Sequence, residues 1–216
     1  MNTKYEICRM DTLLVAATAF EISTFTSIKH KNIDVLITGI GVPNTLYHLQ
    51  NHIQNNDYQL IIQAGICGSF DTTTPLATVF EIEKDVFADI GFSQNKIFTP
   101  LHDSSFANTN NLPLAAGWLI NTSKCSIQHN LQKVSGITVN TVTDNIEIIY
   151  NYTNLYHAQV ESMEGAALHF VCLQKAIPFM QIRSISNYVG ERNKSNWKLK
   201  ESIAALNQTL QQMLLK

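Results

Sequence analysis

Along this chain apolar positions fall in two rhythms. Short runs rich in β-branched residues read as strands: LLVAATA (13–19), DVLITGIG (34–41), QLIIQAGI (59–66), TVFEIEKDVF (78–87), GITVNTVT (136–143) and FMQIRSIS (179–186). Several are apolar at successive positions, as strands covered on both faces are. Between them apolar residues recur every third or fourth position, and helices are expected near 44–55, 112–121, 145–152, 163–176 and 197–215. In 163–176, Met163, Ala166, Ala167, Phe170 and Val171 share one side, and Pro178 is expected to end the helix. In the last helix Ile203, Leu206, Leu210, Met213 and Leu214 do the same. Strand–helix alternation of this kind predicts an α/β sandwich. The polar stretch FSQNKIFTPLHDSSFANTNN (92–111) reads as a long surface excursion. No repeat, low-complexity tract or linker interrupts the chain, so one domain is expected over residues 1–216.

Composition narrows the picture. A net charge of −2 gives no reason to expect a nucleic-acid partner. No apolar run reaches the roughly 18 residues of a membrane span, so no membrane association is expected. The opening MNTKYEICRMDTLLVAATAF imitates a signal peptide, but Asp11 and the strand pattern that follows argue against one. Cys8, Cys67, Cys125 and Cys172 are scattered, without CxxC or Cys/His zinc spacing, which points to reduced thiols in a cytoplasmic protein. His48 and His52 are four apart on a predicted helix but lack a third ligand, so no metal is expected there. His102 and Asp103 read as loop surface, and Cys67 as a buried thiol with no base beside it.

Candidate chemistry gathers at predicted strand ends, where open α/β sheets collect ligands. TGIGVPNT (38–45) and QAGICGSFD (63–71) are glycine-bearing turns that match neither a dinucleotide nor a phosphate-loop pattern. ATAFEIST places Glu21 after the first strand. SISNYVGERNKSNW ends a strand at Asn187 and closes a polar loop on Trp197. VESMEGAALHFV sets Glu161 and Glu164 on either side of Met163 at the mouth of an apolar helix, where the helix dipole alone would favour an acid.

Together these segments resemble one family. ESMEGAAL, followed about twenty residues later by IRSISNYVGERNKSNW, with an early AATAFE and a central QAGICGSF, is similar to the purine nucleoside phosphorylase and nucleosidase superfamily, and within it to the futalosine hydrolase branch. The likeness runs from about residue 12 to near the end. It implies a nucleoside phosphorylase-like α/β/α sandwich around a mixed, twisted sheet. It also implies hydrolysis of futalosine to hypoxanthine and dehypoxanthine futalosine in the alternative menaquinone pathway, without a cofactor, by a homo-oligomer. The alternatives within the superfamily are a 5′-methylthioadenosine/S-adenosylhomocysteine nucleosidase and an inosine-type phosphorylase.

The resemblance also assigns roles. Glu164 would accept the ribose 2′- and 3′-hydroxyls with Met163 packed against the sugar, and Glu21 would activate the attacking water. Asn187 stands where adenine-releasing relatives carry an aspartic acid. An amide offers a donor and an acceptor, which suits the N7/O6 edge of a 6-oxopurine. Gly65 and Val142 are expected against the substrate, Val142 where adenine-specific relatives place a phenylalanine. Phe98, Leu101, Phe106 and Trp197 are expected to wall the benzoate end, with Arg192 or Lys194 meeting its carboxylate. Glu161 receives a structural or peripheral polar role. Arg183 is expected to pair with a buried carboxylate. The chain holds only three arginines, and AATAFE has neither glycine nor arginine, so no phosphate clamp is expected and hydrolysis is favoured over phosphorolysis.

Overall fold

The computed structural model describes residues 12–95, 97–106, 113–123 and 127–215. Cys8, Arg9 and Cys125 lie outside them. The central strands are β1 (Thr12–Ala16), β3 (Leu60–Ser69) and β10 (Phe179–Tyr188), joined in parallel, with β2 (Ile33–Ile37) parallel to β1 at the edge. Leu13, Leu14, Ile61, Ile62, Phe179 and Met180 are almost wholly buried, which is why these segments are apolar at consecutive positions.

Beyond β10 the sheet continues through β4 (Val79–Asp85), antiparallel to it, and β8 (Lys133–Thr138), parallel to β4. The three-residue β9 (Val160–Ser162) follows, and it pairs back onto the far end of β3. The sheet is therefore mixed, and it curls until β3, β10, β4, β8 and β9 form a closed ring. Strand β3 leaves β1 after Gln63 and meets β9 only from Gly68, so its carboxyl half stands where the ring opens.

Helices cover both faces of the β1–β3–β10 part. On one side α1 (Ser23–Thr26) and α5 (Leu199–Leu214) bring Phe25, Leu206, Leu210 and Met213 onto Leu14, Ile62 and Ile182. On the other, α2 (Val42–Ile53) and α4 (Gly165–Lys175) bring Leu49, Leu168 and Val171 onto Leu13, Val15 and Ile61. This is the expected α/β/α arrangement. Helix α3 (Ile146–Tyr156) packs Tyr152 and Tyr156 against Val86 and Ile137 near the ring.

Three expectations need correction. Residues 113–120 form no helix: Ala116 and Gly117 take positive φ (49° and 81°) and reverse the chain into β7 (Leu119–Ile120), which pairs with β4. Leu112 lies outside the described residues. The stretch 92–111 contains structure, since β5 (Gly91–Gln94) and β6 (Ile97–Pro100) make an antiparallel hairpin followed by a 3-10 turn, Leu101–Asp103. Helix α4 ends before Pro178, at a left-handed Ala176 (φ 52°) whose N–H reaches back to the last turn.

Candidate active site

A cavity of about 380 Å³ opens where β1, β3 and β10 end and where β9 turns into α4. Of the residues singled out in the sequence, Glu21, Val142, Met163, Glu164, Asn187, Arg192 and Trp197 all line it, as does Lys194. They come from four segments far apart in the chain, and the fold brings them to one rim.

Glu164 sits one residue ahead of α4 and is 5% exposed, yet it does not cap its own helix. One carboxylate oxygen accepts the Gly41 N–H at 3.0 Å, and the other meets the Arg183 guanidinium at 3.4 Å. Helix-end electrostatics is therefore not what holds it. The helix is served instead by Ser162 and Thr138, whose hydroxyl oxygens accept the N–H groups of Gly165 and Ala166. Freed from capping, the Glu164 carboxylate is fixed across the cavity wall, with Met163 beside it.

Arg183 is the expected partner of a buried carboxylate. It is 1% exposed, and besides Glu164 it donates to Gln63 Oε1 at 2.8 Å and to the Ile66 carbonyl at 3.4 Å. This buried cation is spent on the protein itself.

Glu21 also lines the cavity and is 6% exposed. Its Oε2 accepts both the N–H and the hydroxyl of Thr18 at 3.0 Å, and its Oε1 accepts the Ile66 N–H at 3.1 Å. Burial raises its carboxyl above the ordinary value, against the opposing pull of Arg183 and the Ile66 N–H, with Glu164 adding to the rise. A carboxylate shifted this way is a better proton acceptor near neutral pH.

Gly65 does not line the cavity, which corrects its expected contact with substrate. It lies directly behind the site, where a Cβ would collide with the Arg183 guanidinium and crowd Glu21 Oε1. A glycine here leaves room for the Arg183 and Glu21 side chains that pass over it.

Asn187 follows a bulge in β10, the register shifting between Ile185 and Asn187. Such a bulge re-aims a side chain. Its Oδ1 accepts the Ser186 hydroxyl at 2.8 Å and its Nδ2 donates to the Tyr188 carbonyl at 3.0 Å. One amide N–H is left for a ligand. Trp197 donates its indole N–H to the Glu191 carbonyl, and Arg192 lies 6.0 Å from the Trp197 ring.

The hairpin does not supply the expected walls. Phe106 is 82% exposed and packs edge-on against Phe92, Phe98 lies against Gly91, and Leu101 borders a separate groove with Val42 and Phe170. Glu161, expected at the periphery, is 6% exposed and lines the cavity. Cys67 also lines it, but burial pushes its thiol up to about 12, so it is no nucleophile. Cys67 and Cys172 are free and buried.

Behind the wall lies a buried polar cluster that the sequence did not announce. Asp85 accepts the Thr138 hydroxyl at 2.9 Å, and burial lifts its carboxyl to about 6. The His169 ring meets the Leu119 carbonyl at 2.9 Å, and burial lowers its pKa to about 4. A Cβ on Gly165 would press the ends of the Asp85 and Gln181 side chains, and a glycine at the start of α4 leaves them in place.

Two buried acids, Glu21 and Glu164, thus line one cavity with Met163 and the Asn187 amide. The chain belongs to the phosphorylase superfamily, whose family model matches residues 10–216. It is 25% identical over 211 residues to the futalosine hydrolase of Thermus thermophilus, covering 95% of this chain and 92% of that protein. It is 24% identical to the 5′-methylthioadenosine/S-adenosylhomocysteine nucleosidase of Colwellia psychrerythraea, covering 81% and 75% respectively. In fold it superimposes on the futalosine hydrolase of Helicobacter pylori with a TM-score of 0.76 at 17% identity, over 95% of this chain and 97% of that one.

Proposed function

We propose that this chain is a futalosine nucleosidase that cleaves the N-ribosidic bond with water and releases hypoxanthine and dehypoxanthine futalosine, a step of the alternative menaquinone pathway. The observation that carries the reading is the convergence of Glu21, Glu164 and Asn187 on one cavity. Glu164 holds the ribose hydroxyls, with Met163 beneath the sugar. As the bond to the base lengthens, positive charge grows at C1′ and the buried carboxylates stabilise it. Glu21 accepts a proton from the water that attacks C1′. Asn187 steadies the departing base through its free N–H, with Val142 packed near the ring.

Water rather than phosphate fits this wall. Arg183 is engaged by Glu164 and Gln63, and the turn after β1 is occupied by the Glu21 carboxylate, which repels an anion. Arg192 and Lys194 are the cations left at the rim, near Trp197, and they meet the substrate's carboxylate end. The reading includes association of subunits, supported by an exposed apolar groove beside the site lined by Val42, Leu46, Ile90, Leu101 and Phe170. It also includes a cytoplasmic setting, supported by the free thiols of Cys67 and Cys172.

The test is release of free base from futalosine, inosine and methylthioadenosine, each with and without phosphate. Hypoxanthine should appear from futalosine at a rate independent of phosphate. Adenine release from methylthioadenosine at a comparable rate would favour the adenine-releasing alternative and overturn the argument from Asn187.

A further inference from the structure

One polar group in the cavity has no work in the mechanism above. Glu161 sits in the middle of β9, is 6% exposed and lines the cavity, and its Oε2 has no hydrogen-bond partner among the described residues. A buried carboxylate oxygen left without a donor is costly, and such groups persist where a ligand satisfies them.

The sheet register says which part of a ligand that would be. Gly68 of β3 lies opposite Asn187 of β10 on one side and opposite Glu161 of β9 on the other. The three positions form a row across the ring, and residues directly opposite one another point to the same face. Two strand spacings place the Asn187 and Glu161 backbones about 10 Å apart. The middle position has no side chain, and a Cβ there would already press Val189 at 3.1 Å and the Asn187 amide at 3.4 Å. The row thus sets an amide at one end and a carboxylate at the other of a slot whose middle residue has no side chain of its own, with Val189 and the Asn187 amide packed over it.

We propose that Glu161 determines base specificity, its carboxylate accepting the N1–H of a 6-oxopurine whose opposite edge rests on Asn187. The proposal builds on the nucleoside reading of the cavity. An ionised carboxylate only accepts hydrogen bonds. A 6-oxopurine offers it N1–H, whereas adenine turns a bare lone pair toward it at N1, which a carboxylate repels. Discrimination is therefore built into the slot from both ends, by an amide that donates to N7 and an acid that demands a proton on N1. Burial holds the free carboxyl of Glu161 at about 7, with Arg192 favouring and Asp89 opposing the ionised form, and an N–H donor would favour it further.

The experiment measures dissociation constants of hypoxanthine and adenine for the parent, Glu161→Gln and Glu161→Met by calorimetry, alongside futalosine turnover and thermal unfolding. The parent should prefer hypoxanthine by at least about tenfold, the scale on which a polar site rejects a mismatched partner. Glu161→Gln should lose that preference or reverse it, since an amide can donate to the N1 of adenine, and Glu161→Met should weaken hypoxanthine more than adenine. Because the readout is a ratio, a partial loss of folded protein leaves it unchanged. A Glu161→Gln protein that keeps the parent's preference overturns the proposal, as does a parent that does not bind hypoxanthine. If the parent fails to cleave futalosine but the ratio still responds to Glu161, the substrate reading falls and the base contact stands. If futalosine is cleaved and the ratio does not move, the reverse holds.

Discussion

Glu21→Gln is expected to lower kcat for futalosine by about 10³-fold, within the range a general base contributes, and to leave KM within about threefold of the parent. The substitution is nearly isosteric. The amide oxygen can still accept the Thr18 or Ile66 N–H groups that hold Glu21 in place, so the cavity keeps its shape while the proton acceptor is lost. The pH profile separates this from mere distortion. Glu21 must be ionised to act, and burial raises its carboxyl above the ordinary value, so kcat/KM of the parent should fall on the acid side at a higher pH than a free glutamate gives. In Glu21→Gln the part of that limb due to Glu21 should vanish, leaving the part set by Glu161, whose free carboxyl burial lifts to about 7. A variant with the parent's rate would remove Glu21 from the chemistry.

Glu164→Ala should damage binding and turnover together. Two hydrogen bonds from ribose hydroxyls to a carboxylate are worth about 1.5–3 kcal/mol each, so kcat/KM should fall by roughly 10²–10⁴-fold. The same change strips Arg183 of its ion-pair partner in a buried setting, at a cost of about 3–5 kcal/mol of stability. Denaturant unfolding measures that second effect separately. A 2′-deoxy substrate analogue then isolates the first. It should be much poorer than futalosine for the parent, and no poorer for Glu164→Ala, because the lost hydroxyl has already lost its acceptor. If the 2′-deoxy penalty survived in the variant, the ribose contact would belong to another group.

The parts of this fold that sequence reveals are those whose burial is local. The strands around 13–19, 59–66 and 179–186 are apolar on both faces because helices cover both, and that pattern needs no partner to be read. Helix α5 shows its stripe for the same reason. Strand β9 stayed hidden because three residues, VES, carry no period, and they become a strand only by pairing with β3 and β8. The segment NLPLAAGWLI imitates a helix with its alanines and leucines. Gly117 was the contrary signal, and with Ala116 it reverses the chain.

The site divides along the same line. Glu21, Met163, Glu164 and Asn187 were legible because each stands in a motif that resembles a family, and the motifs carry their spacing. Glu161 was not, since two acids three residues apart look alike in a string. What distinguishes them is the register that sets Gly68 between Glu161 and Asn187, a contact between residues nearly a hundred positions apart. Gly65 shows the opposite error. Its place in a glycine turn suggested substrate contact, whereas its task is to let Arg183 and Glu21 pass overhead. Phe98 and Phe106, expected as benzoate walls, pack instead against Gly91 and Phe92 of the hairpin.

The claim on which the account rests is that this cavity directs water onto C1′ of a purine nucleoside. Turnover of futalosine in ¹⁸O-labelled water with phosphate present, followed by mass spectrometry of the sugar product, tests it directly. One ¹⁸O atom on the released ribose, with free hypoxanthine alongside, is the predicted result. A sugar 1-phosphate, or a substrate that emerges uncleaved, would contradict it.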